Sequence, residues 1–202
     1  MVDISHPSSG RFLSASDGET LLRIARDALE AHVRKADRRP PPLESLSPVL
    51  REPHGAFVTL RREEKLRGCI GVVDHTYPLA LAVEHSTIRS ATRDPRFRPV
   101  EEAELDRIAI EVSALAHGDT ADSPFVRIQD VDGIVIGRDG LLIQSPEGKS
   151  GLLLPQVPTG RGWDVPEFLN AICLKAGLDE NDWRRPDIRL FRFSAHVFAE
   201  TL

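Results

Sequence analysis

Cysteine is nearly missing from this 202-residue chain, which carries only Cys69 and Cys173. Two distant thiols are too few for a disulfide framework and form no CxxC device, so both are read as free thiols in a reducing compartment. The same count excludes a zinc site of thiolates. None of the seven histidines stands in an HxxH, HxxxH or HExxH spacing, so no metal site is expected. Long apolar runs are missing too. Leu152 to Leu154 and Ile70 to Val73 fall far short of the roughly 20 residues of a membrane span. The opening MVDISHPSSGRF has neither the basic nor the apolar region of a secretory signal, so a cytoplasmic location is expected. Basic residues, at 26, are outnumbered by 31 acidic ones, and a net charge of -5 argues against broad attachment to nucleic acid. No GxGxxG, P-loop, GxSxG or EF-hand pattern occurs, which leaves the ordinary nucleotide, acyl-hydrolase and calcium readings without a signature.

What remains is ordinary globular stock, 41% hydrophobic and 28% charged, with enough length for one large domain or a domain plus a small subdomain. Leu21, Leu22, Ala25, Ala28 and Leu29 recur at helical spacing within residues 14–35, with Ser16 or Asp17 as the cap. Arg38-Arg39-Pro40-Pro41-Pro42 stops that helix, because prolines remove amide donors and force extended backbone. Gly55 to Leu60 and Leu66 to Val73 read as a β-hairpin joined by the charged residues 61–65. A helix follows from Pro78 to about Thr92, ended by Asp94-Pro95. Glu101 to Leu105 reads as one helical turn, and Ile108, Ile110, Val112 and Ala114 alternate as a half-buried strand does. Beyond His117 come short β segments at 131–136, 141–144 and 152–154, then a helix opened by Trp163-Asp164 and closed at Gly177. A closing strand over 188–200 is expected to return to the main sheet. The pattern predicts an α+β fold: a larger mixed or antiparallel sheet with flanking helices, formed by 14–117 and 161–202, and a smaller β-rich subdomain at about 118–160.

The segment KLRGCIGVVD sets a thiol between two glycines. Strand alternation places Arg67, Cys69 and Gly71 on one face, where a guanidinium would favour the nucleophilic thiolate and the absent side chain of Gly71 would leave room for something to approach; Gly68 falls on the other face, and the two glycines together would permit close backbone approach by a partner. If the strand of Glu111 and Ser113 lies beside this one, Glu111 could pair with Arg67 and orient it. Arg89, Arg93, Arg96 and Arg98 cluster around Asp94, and Asp94 with Arg96 could hold a small anion. His85 and His117 are the nearest acid-base candidates in sequence. A second reading stays open: Cys69 is a small packed hydrophobe, and its glycines mark a bulge or a close approach.

Several segments together resemble the AMMECR domain family, whose prokaryotic members are called AmmeMemoRadiSam system protein A. They are LRGCIG at Leu66 to Gly71, DPRF-x-PV at Asp94 to Val100, EL at Glu104-Leu105 and IEVS at Ile110 to Ser113. Further along stand LLPQV at Leu153 to Val157, GWD at Gly162 to Asp164, FL at Phe168-Leu169 and KAGL at Lys175 to Leu178. The resemblance implies an α+β fold with a large and a small part and no defined reaction or cofactor. It implies Memo-like and radical SAM proteins as partners in a shared pathway or complex. Taken with the residues, it suggests a cysteine-centred enzyme or substrate-handling subunit. The alternative is a noncatalytic protein-binding or scaffold module.

Overall fold

The first long helix begins where its backbone amides are answered. The Ser14 hydroxyl accepts from the Asp17 amide at 3.1 Å while the Asp17 carboxylate accepts from the Ser14 amide at 2.9 Å, a reciprocal capping box. The cap is therefore Ser14, earlier than the expected Ser16 or Asp17, and helix α1 runs Ala15–Arg34. The computed structural model describes residues 2–3, 13–37, 40–116, 118 and 123–201; the leading segment at 4–12, Arg38, Arg39 and the candidate His117 lie outside the described residues.

Two units divide the chain, 1–115 with 196–202 and 116–195. The first holds a five-stranded sheet in the order β1-β9-β4-β2-β3, with β1 at Val2–Asp3, β2 at Ala56–Arg62, β3 at Lys65–Val72, β4 at Ile108–Leu115 and β9 at Ala195–Ala199. Ala56, Val58 and Leu60 of β2 join Ile110, Val112 and Ala114 of β4 in one core with apolar residues of α1 and of α3, Leu79–Thr92. A short helix, α2, spans Pro48–Arg51. The β2–β3 hairpin closes through Glu63 and Glu64, both at positive φ, 51° and 63°. A two-residue turn needs that backbone, and here two glutamates adopt it where glycine or asparagine is the usual choice.

The second unit is larger than the expected 118–160. Its sheet runs β5-β8-β6-β7, with β5 at Val126–Ile128, β6 at Gly140–Gln144, β7 at Ser150–Leu153 and β8 at Arg189–Phe193. Helix α4 spans Gln156–Arg161, and α5, Val165–Lys175, packs on β6 and β7. Phe168, Leu169, Ile172 and Cys173 of α5 enter the same buried cluster as Leu141 and Ile143 of β6. This helix and β8 therefore belong with residues 116–160, and the expected single closing strand is two, β8 in one sheet and β9 in the other. The segment expected as strand at 131–136 contains instead a 3-10 turn at Val131–Gly133. Together these elements make an α+β fold. Among the described residues no helix is long and apolar enough to cross a membrane, and no group of His, Cys, Asp or Glu side chains is placed to hold a metal ion.

Candidate functional site

Strand β3 forms one edge of its sheet, and its outer rim is closed by side chains rather than by another strand. Asp94, in the turn after α3, accepts from the Cys69 amide through Oδ2 at 2.8 Å. Arg96 grips the same carboxylate from the other side, Nε to Oδ1 at 2.9 Å and Nη2 to Oδ2 at 2.6 Å, and its Nη2 also reaches the Cys69 carbonyl at 3.5 Å. The Asp94 side chain is 2% exposed, and the forked hydrogen bonds from Arg96 hold its carboxyl at about 2, despite burial, which acts the other way. Arg96 in turn is raised, first by hydrogen bonding to Asp94 and in smaller part by the charge on Cys69.

From the helix side, Ser86 and Ser90 lie four residues apart on α3 and both reach into the hairpin. Ser86 donates to the Ala56 carbonyl at 3.0 Å. The Ser90 hydroxyl stands between the registered partners Ile70 and Val58, accepting from the Ile70 amide at 2.7 Å and donating to the Val58 carbonyl at 2.7 Å. The helix backbone comes equally close: a Cβ on Gly68 would sit 2.2 Å from the Ser90 carbonyl oxygen. A Cβ on Gly71 would meet the Phe57 ring at 2.4 Å. Both glycines are thus required by contacts within this unit. Cys69 itself is half-buried, and the Thr59 hydroxyl donates toward its sulfur at 3.4 Å.

Arg67 departs from the strand alternation expected of it. The β2–β3 register steps from Leu60↔Gly68 to Arg61↔Leu66, so Arg67 is the extra residue of a β-bulge, and a bulge re-aims its side chain. Its guanidinium binds Glu104 through both Nε and Nη2, each at 2.8 Å, and donates to the carbonyls of Arg98 at 2.9 Å and Pro99 at 3.3 Å. The pair is mostly buried, with the side chains 12% and 14% exposed. Arg67 holds the Glu104 carboxyl down at about 2, with help from the Glu101 amide and Arg62. The expected Arg67–Glu111 pair is therefore replaced by Arg67–Glu104. Its premise fails as well, since β2 lies between β3 and β4: Glu111 stands opposite Thr59, which stands opposite Cys69.

Of the predicted site residues, the structure brings Gly68, Cys69, Asp94 and Arg96 together and gives Arg67 to a separate clamp. Gly71 packs under Phe57, and Glu111 shares a cross-strand row with Cys69 at two strands' remove. His85 is exposed and meets the Tyr77 ring edge-on. Thr59, Ser90 and Glu104 were not singled out from the sequence. A serine pair four apart on the apolar face of α3 was the available signal for Ser90; for Glu104 there was only its place in the resemblance.

Comparison with known proteins is consistent along the chain. The AMMECR1 family model matches residues 22–198. A protein of Thermofilum pendens is 42% identical over 201 residues, covering 94% of this chain and 92% of its own. One from Thermococcus onnurineus is 45% identical over 188 residues, covering 91% and 90%. The crystal structure of the uncharacterized protein PH0010 from Pyrococcus horikoshii aligns with a TM-score of 0.84 at 39% identity over 93% of both chains.

Proposed function

This chain belongs to the AMMECR1 family, and on that premise we propose that it is a substrate-handling subunit centred on Cys69. It works with the Memo-like and radical SAM proteins that the family resemblance implies. Cys69 is the nucleophile or covalent anchor. Arg96, rather than Arg67, is the cation that favours its thiolate, and Thr59 supplies a hydroxyl donor to the sulfur. Asp94 holds the Cys69 amide and Arg96 in one arrangement, and the orienting role expected of Glu111 passes to Glu104, which steadies Arg67. The single observation behind this reading is the half-buried thiol, 3.4 Å from a hydroxyl, on a backbone gripped by the Asp94–Arg96 pair.

The test is the pH dependence of Cys69 alkylation in the folded protein. An apparent pKa below the ordinary cysteine value of about 8.5, moving up in Arg96→Gln, supports the proposal. The profile of a free cysteine, or no reaction before unfolding, counts against it. One observation favours the second reading, a noncatalytic binding module: Arg67, Gly68 and Gly71 of the LRGCIG segment are each accounted for by contacts within this unit. Full pathway output from Cys69→Ala would favour that module.

A further inference from the structure

Beside the Asp94–Arg96 clamp lies a groove of about 470 Å³ that the thiol does not line. Its walls are Arg62, Glu63, Lys65, Leu66, Arg67, Arg96, Phe97, Arg98 and Glu104. Five cationic side chains face two carboxylates on a chain whose net charge is -5, so positive charge is concentrated here against the general balance. Both carboxylates are already answered. Glu104 is shared by Arg62 at 2.7 Å and Arg67 at 2.8 Å, and Glu63 pairs with Arg107, which stands outside the groove lining.

Lys65 and Arg98 are exposed and have no acidic partner among the described residues, and the Arg96 side chain is half exposed beyond its grip on Asp94. The groove is not wholly polar. Leu66, 37% exposed, stands on one wall, and Phe97 lies beneath the guanidinium groups of Arg67 and Arg96, whose central carbons are 5.9 and 5.5 Å from its ring centre. Several converging cations suit an anion of more than one charge, and guanidinium forks suit phosphate geometry. An apolar wall and a volume within the usual range of small-molecule sites suit an organic group attached to it.

We propose that this groove is a binding site for a small organic phosphate, with Lys65 and Arg98 as its recognition cations and Leu66 and Phe97 receiving the organic part. The inference goes beyond the thiol chemistry proposed above and does not depend on it, because Cys69 is not part of the groove lining. The floor is rigid. The Arg67–Glu104 pair and the Arg98 and Pro99 carbonyls bonded to it fix the turn that carries Phe97 and Arg98.

Titration calorimetry with three probes tests the site: phenyl phosphate, inorganic phosphate and benzoate. Phenyl phosphate is expected to bind tightest, inorganic phosphate more weakly for want of the apolar part, and benzoate weakest for want of the second charge. The double variant Lys65→Ala/Arg98→Ala should lose at least about tenfold in phenyl phosphate affinity, the loss of one charge-assisted hydrogen bond or more. Its unfolding midpoint should be unchanged, since neither side chain has an acidic partner among the described residues to lose. Cys69→Ala should bind phenyl phosphate as well as the parent chain, which separates failure of this site from failure of the thiol reading. Equal affinity in the double variant, benzoate binding as tightly as phenyl phosphate, or selective binding of a phosphorylated peptide with no phenyl phosphate binding would each overturn the proposal.

Discussion

Cys69 and Cys173 place the same side chain in two settings. Cys173 sits at 0% exposure on α5, among Phe168, Leu169 and Ile172, and burial pushes its thiol upward in pKa. Cys69 sits half-buried on an edge strand, with a hydroxyl at its sulfur and a carboxylate-guanidinium pair at its backbone. One thiol is packing. The other is held by polar groups that packing alone does not require. The difference teaches that a cysteine's chemistry follows from what its strand or helix is packed against.

Thiol labelling is the strongest way to break that contrast. In the folded protein Cys69 should be modified faster than Cys173 by at least about a thousandfold, because Cys173 reacts only after its core opens at a cost of several kcal/mol. Peptide mass spectrometry after a brief exposure to iodoacetamide reads the ratio, and comparable labelling of both would erase the distinction.

Next in size is Gly68→Ala. With the new methyl 2.2 Å from the Ser90 carbonyl, either α3 or β3 must shift, and a loss of about 3 kcal/mol is expected. Gly160→Ala, in α4 with nothing within 4 Å, should change stability by less than about 1 kcal/mol and serves as the control. Urea unfolding of the two variants gives both numbers.

Acid sharpens the contrast further. The Asp94 and Glu104 carboxyls fall from ordinary values of 3.8 and 4.5 to about 2 in the folded chain. The unfolded chain therefore takes up protons first as pH drops. Stability from these two pairs is fully present above about 4.5 and is lost as pH falls toward 2. Unfolding free energies measured between pH 5 and about 2.5 should decline, and Glu104→Gln should shallow that decline. Cys173→Ser, which buries a hydroxyl in an apolar cluster, should cost about 2 kcal/mol. The smallest effect is Cys69→Ser, which should cost less than about 1 kcal/mol because Thr59 remains as a partner. Thermal melts of the two serine variants rank them.

Much of the fold was legible in local pattern. The helical spacing of α1 and α3, the period of β4, the Asp164 cap of α5 and Gly177 after it depend on neighbours within a turn or two, and such signals survive in a linear text. The Glu63-Glu64 turn did not announce itself, because its backbone is one that glutamate rarely adopts. The extent of the second unit was misplaced because α5 and β8 find their partners through nonlocal burial against β6 and β7. In the candidate site, Cys69, Asp94 and Arg96 were visible as residues, but their mutual grip was not.

By itself the amino-acid order determined the α+β character, the position of the β2–β3 hairpin and the kinship. The tertiary structure alone decided which groups meet. One bulged residue turned Arg67 from the thiol to Glu104, and the insertion of β2 between β3 and β4 set Glu111 apart from the arginine expected to meet it. Alternation within a strand is a local rule obeyed by backbone geometry. Register slips and strand order are settled by whichever distant surfaces pack best, and no single strand carries that information.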